Sequence, residues 1–285
     1  MGGVSEGVVN TEVCYYLVEF LMKGQGVVLL VNKFFGPKVN ASMSIGNTLS
    51  NNCTQLSGSM EGAFWPAIVS AYGKGDAELF RTLALRTSKF AACLILIFAV
   101  PLAFEIDEVL LLWLKKPPAY TGGLCICFLI VLVVDKITTG HCTAINAVGR
   151  VAVYQAVISA VLLLTVPLGW LGFAAGCDVY AVSYAMIGTA VVATMVRVIF
   201  ASRIAGLSAV TWGRCTVFPL VVAVVFSGLL AYIPQLFLPP SFYRIVLTTL
   251  FFLTGYFPLV YLIVMDRSER RYVWDHLKEK LRTKG

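Results

Sequence analysis

Apolar stretches close to the roughly 20 residues needed to cross a bilayer's hydrocarbon core recur from one end of this chain to the other. Residues 151–172, for example, carry no charge at all. Only 13% of the 285 residues are charged and 59% are hydrophobic, whereas a soluble domain carries about 25% charged residues. Mean hydropathy is +0.84. One such run at the N-terminus would signal an export leader; repetition along the whole length signals an all-α, polytopic transmembrane helical bundle. The N-terminus has no basic segment ahead of an apolar one, so a removable signal peptide is not expected. Glu6 occupies the position where an N-myristoylation signal requires Ser or Thr.

Hydropathy, broken by Gly, Pro and charge, places about eight spans, at 11–32, 39–62, 88–110, 121–145, 151–172, 179–200, 213–234 and 244–265. The second is the least apolar. With the N-terminus in the cytoplasm, fifteen of the 22 Lys and Arg fall on the cytoplasmic side and five on the other, while Lys23 and Lys136 lie within spans. Basic residues favour the cytoplasmic face, so both termini are expected there. The net charge of +7 is then explained by topology and anionic lipid, and no nucleic-acid partner is expected. The organisation expected is a bundle over residues 1–265 and a basic cytoplasmic tail over 266–285. In that tail Val273, Leu277 and Leu281 share a helical stripe, which suits an amphipathic helix on the leaflet; a solvated charged tail is the alternative.

The eight cysteines are scattered, nearly all inside apolar runs, and read as small buried hydrophobes without disulfides. Cys125 and Cys127 form a lone C-x-C. Asn40 and Asn52 begin glycosylation tripeptides, which carry little weight in or beside a span.

Polar residues inside the spans carry more information. A charge at a helix centre costs about 2.5–3.5 kcal/mol on insertion scales, so it seldom faces lipid. Asp135 and Lys136 sit side by side in the fourth span, about 100° apart on a helix, so both are expected to point into the bundle or a wet cavity rather than at each other. Asp135 heads a stripe with Thr138, Thr139, Cys142 and Asn146. The second span carries Asn40, Ser44, Asn47, Asn51, Thr54 and Gln55; the first carries Glu19, Lys23 and Gln25. These stripes either line a polar pathway or pair with one another to fix helix packing, and Glu19 and Lys23, four apart, can neutralise each other locally. His141 reads as a satisfied interior histidine. Glu105, Asp107 and Glu108 read as a solvated outer loop.

Nothing points to an enzyme. No H-E-x-x-H, phosphate-binding loop or paired-Asp metal motif occurs, and Gly3 to Gly7 matches G-x-S-x-G without room for the strand that a nucleophile elbow requires. No cofactor or metal is expected.

Several phrases stand in a recognisable order: "VNKFFGPKVNA" (31–41), "WPAIVSAYGKGD" (65–76), "LRTSKF" (85–90), "LLLWLKKPPAY" (110–120) and "AINAVGRVAVYQ" (144–155). Together they resemble the C-terminal half of bacterial polysaccharide (O-antigen-type) flippases, in the superfamily that also holds multidrug exporters and lipid II flippases. The resemblance spans residues 15–285. It implies transport of an undecaprenyl-pyrophosphate-linked oligosaccharide across the bacterial cytoplasmic membrane for surface polysaccharide or lipopolysaccharide synthesis. Lys23 and Lys136, the two basic residues well within spans, would hold the pyrophosphate. Gln25, Asn47, Asn51, Thr54, Gln55, Thr139 and Asn146 would line the sugar path. Asp135 or Glu19 would couple to an ion.

Family members carry about six further helices before this point, so the chain corresponds to the second of two bundles. The first would be a separate chain, be replaced by a second copy, or have been lost by truncation, the last being the favoured reading. The rivals are a cation-coupled drug exporter of the same superfamily and a non-transporting membrane scaffold in glycan assembly.

Overall fold

A computed structural model of the chain describes residues 26–271 and 274, and among them every regular element is helical. The helices are α1 (Val27–Phe35), α2 (Pro37–Gly73), α3 (Ala77–Phe104), α4 (Ile106–Leu114), α5 (Thr121–Lys136), α6 (Thr139–Val148), α7 (Ala152–Leu163), α8 (Thr165–Ala174), α9 (Ala181–Ile204), α10 (Ala209–Phe237) and α11 (Phe242–Val264). π-Helical turns interrupt α10 at Gly213–Val217 and end α11 at Val260–Val264.

Among the described residues five units are long and apolar enough to cross a membrane: α3, α7 with α8, α9, α10 and α11. The pair α5 and α6 makes a sixth, bent by 44°. Of the expected first span, 11–32, residues 11–25 lie outside the described residues, as do 272, 273 and 275–285 of the tail and the G-x-S-x-G match. The expected second span falls within α2, whose 37 residues make a rod of about 55 Å at 1.5 Å per residue. Gly36, at φ +78°, turns the chain between α1 and α2, and Pro37 opens α2 at a position where its missing N–H costs nothing.

Two expectations change for identifiable reasons. The third span was expected at 88, but α3 starts at Ala77, capped by Asp76, whose Oδ1 accepts from Leu79 N at 3.0 Å. Its first turns are amphipathic and so escape a hydropathy window, yet Phe80, Ala84 and Thr87 are buried. Lys89, counted as a cation at the span's end, is therefore interior. Its Nζ donates to Asp266 at 2.9 Å and to Glu269 at 3.0 Å, while Arg86 Nε lies 3.1 Å from Glu269. The first residues of the expected tail thus dock on α3.

The second correction concerns Glu105. It is buried, not a solvated loop residue: its side chain is 1% exposed. It accepts from Arg244 Nη2 at 2.9 Å, Arg244 Nε at 3.1 Å and Thr248 Oγ1 at 2.8 Å. Glu105 thereby ties the C-terminal end of α3 to α11.

Packing divides along the helix axes. α2 packs on α3 and α5, and α9 packs on α5 to α8. One apolar cluster joins Ile68, Phe80, Ile145, Ile158 and Leu207. Another joins Leu30 of α1, Leu124 and Phe128 of α5, Phe173 of α8 and Val182 of α9. α10 and α11 form a hairpin laid against α3 through Leu96, Leu220, Phe252 and Tyr256. The polar residues of α2 and α5 to α9 lie between the first two clusters.

Candidate functional site: a charged cavity at a broken helix

The site begins with the break in "VVDKITTGH". α5 ends at Lys136 and α6 starts at Thr139, where one continuous span was expected. A bend frees carbonyl groups that hydrocarbon cannot satisfy, so other groups must. Trp212 Nε1 donates to Ile137 O at 2.9 Å and Thr194 Oγ1 to Val134 O at 3.2 Å. Gly140 holds the second half against α3: its N–H donates to Ser88 Oγ at 2.9 Å, and a Cβ there would collide with the Ala84 carbonyl. His141 packs beside it, buried, with Nδ1 3.4 Å from Ser88 Oγ and its ring edge-on to Trp212.

Beside the break lies a cavity of about 660 Å³, walled by α2, α5, α6, α7 and α9. That is within the range of small-ligand sites. Asn47, Asn51 and Thr54 of α2 line it, with Asp135, Lys136, Thr139 and Asn146 from α5 and α6. Seven of the expected site residues are therefore brought together. Gln55 is not: it is exposed and off the cavity, because adjacent helical residues diverge by about 100° and Thr54 takes the inward position. Glu19, Lys23 and Gln25 lie outside the described residues.

Four charged side chains line the cavity among the described residues, and they form two ion pairs between helices. Lys136 Nζ donates to Glu61 Oε1 at 2.6 Å, and Arg197 Nη1 donates to Asp135 Oδ1 at 2.9 Å. Lys136 sits in the last turn of α5, where the helix's partial negative end favours a cation. Arg197 is almost fully buried in α9. The remaining polar wall includes Ser50, Thr143, Tyr154 and Gln155, with Trp65 on the α2 side. Cys142 Sγ and the Tyr154 hydroxyl are 3.0 Å apart.

Glu61, Trp65 and Arg197 were not singled out from the sequence, although two signals existed. Asn47, Asn51, Thr54, Gly58, Glu61 and Trp65 follow one another at steps of three and four, so the α2 stripe runs on past Gln55. Arg197 lies three residues inside the limit of its expected span, where counting it as a terminal cation concealed it.

Chemically, the cavity offers two cations and two carboxylates with a net charge of zero, amides and hydroxyls, and an aromatic face. It suits a polar molecule more readily than an apolar one. No family model, curated protein or solved structure matches the chain.

Proposed function

We propose that the chain is the C-terminal bundle of a polysaccharide flippase-like transporter in a bacterial cytoplasmic membrane. In this reading it spans the membrane about eight times, with the first crossing at 11–32, the second within α2, and both termini in the cytoplasm. Its cargo is an undecaprenyl-pyrophosphate-linked oligosaccharide. Lys136, with Lys23, meets the pyrophosphate; Asn47, Asn51, Thr139 and Asn146 meet sugar hydroxyls. A second bundle, from another chain segment or a second copy, covers the side where Asn51 and Trp65 are exposed.

One observation carries the reading: a polar cavity of this size has Lys136 and Arg197 on its wall, inside a bundle whose spans are long apolar helices. Buried cations are costly in a membrane and mark ligand or ion paths. Charge-assisted contacts to phosphoryl oxygens are the chemistry such cations serve.

The test is Lys136→Ala, alone and with Lys23→Ala, in cells whose surface glycan depends on this chain. The expected result is a loss of surface polysaccharide of at least ten-fold, with lipid-linked oligosaccharide accumulating on the inner leaflet and the protein's abundance unchanged. Intact surface glycan in both variants would reject the cavity as the cargo site. A cation-coupled drug exporter is the second reading, favoured by the carboxylates of Glu61 and Asp135 on the same wall; drug efflux with no glycan defect would establish it instead.

A further inference from the structure

Lys136, the cation assigned to the cargo's pyrophosphate, already holds a carboxylate. Glu61 Oε1 lies 2.6 Å from its Nζ. The two residues come from helices packed side by side, α2 and α5, and are 75 positions apart. A dianionic ligand therefore cannot simply add to a waiting charge. It must take the place of Glu61 on Lys136, and Glu61 must then be left with water or with the cavity's amides.

The geometry allows this exchange at Glu61 better than elsewhere. Its side chain is 33% exposed and lines the cavity, whereas the Lys136 side chain is 12% exposed. The carboxylate can thus swing toward water on releasing the lysine, and the ammonium stays at the wall. The second pair is built differently, since the Arg197 side chain is 6% exposed and its guanidinium is held deep in α9.

We infer that Glu61 is a built-in competitor for the cargo's phosphoryl group: it neutralises Lys136 in the empty cavity, is displaced when the anion arrives, and returns to expel it. The inference rests on the reading of the cavity as an anion site. Its physical basis is that a largely buried cation without a counter-charge is costly, and an internal carboxylate removes that cost. The consequence is that binding becomes an exchange of one ion pair for another. Affinity is held down, which suits a carrier that must release what it binds.

The experiment measures binding of inorganic pyrophosphate to the full chain in lipid nanodiscs. The chains compared are wild type, Lys136→Ala, Glu61→Gln and Glu61→Asp, with thermal melts as the check on folding. Glu61→Gln removes the competing charge but keeps the shape, and is expected to tighten binding about ten-fold, or about 1.4 kcal/mol. Glu61→Asp lengthens the pair by one methylene and is expected to tighten binding by less, which keeps the test in hand should Glu61→Gln melt early. Lys136→Ala is expected to weaken binding at least ten-fold. If Lys136→Ala weakens binding while neither Glu61 variant tightens it, the exchange is wrong and the anion site stands. If Lys136→Ala binds as wild type does, the anion site itself fails and the exchange with it.

Discussion

Replacing Glu105 by alanine should be among the most damaging single changes in this chain, and the size of the loss can be worked from its contacts. The Glu105 carboxylate is 1% exposed and accepts three hydrogen bonds of 3.1 Å or less, two from Arg244 and one from Thr248. Removing one partner of a buried ion pair costs about 3–5 kcal/mol, because the other charge is left without compensation. The Arg244 side chain is 15% exposed, so it can recover part of its hydration, which places the expected loss near the lower end, about 3 kcal/mol. Glu105→Gln retains an acceptor for Thr248 and loses only the charge, for about 1.5–3 kcal/mol. Arg244→Met leaves the carboxylate behind with no water to recover, since it is 1% exposed, and should cost more, nearer the upper end at about 5 kcal/mol. Denaturant unfolding in mixed micelles measures each, and the double variant Glu105→Ala with Arg244→Met closes the cycle. A coupling of about 1–3 kcal/mol is expected. Coupling under about 0.5 kcal/mol would refute the assignment of this pair as the clasp between α3 and α11.

Gly140→Ala should prevent α6 from seating on α3, since the added methyl would meet the Ala84 carbonyl, a backbone atom that cannot yield. The matched control is Gly188→Ala in α9, where no atom lies within 4 Å of the new methyl; there a gain of about 0.5–1 kcal/mol is expected from helix propensity. Thermal melts of the two should move in opposite directions, and equal melts would undo the argument for the tight crossing. Orientation is tested through Cys177 and Cys215, both exposed. With both termini cytoplasmic, a membrane-impermeant maleimide added outside should label Cys177 and spare Cys215, and the reverse pattern would invert the topology.

How much of this was legible in the sequence depends on the range of the interaction. Helicity, the run of apolar segments and the polar stripe of α2 are written in steps of three and four residues, and Asn47, Asn51 and Thr54 could be read from them. The break between α5 and α6 could not, because it is enforced from elsewhere. Ser88 receives the Gly140 N–H, and Trp212 caps the Ile137 carbonyl from 75 positions away. Partners of charged groups were likewise beyond local periodicity. Lys136 finds Glu61 at a separation of 75, Asp135 finds Arg197 at 62, and Glu105 finds Arg244 at 139. Glu105 also shows the limit of composition. A carboxylate among other acids near a span's end looks solvated until the chain brings a cation back to it.

The same charges, sorted by burial and by number of partners, separate structural duty from a working role. Beside the C-terminal end of α11 Lys89 contacts both Asp266 and Glu269, and Glu269 also meets Arg86, so no single displacement frees the lysine. At the C-terminal end of α3 Glu105 is held by Arg244 and Thr248 together and is sealed from water. Opening either cluster means breaking several contacts at once around a buried charge, which makes them clasps. Between the ends, Lys136 has one carboxylate partner among the described residues, and that partner faces a cavity of about 660 Å³. There a ligand's oxygens can replace what is lost, one contact for another. An ion pair that is single, reachable and bordered by space can exchange partners, and Lys136 with Glu61 meets those three conditions while the two end clusters fail them.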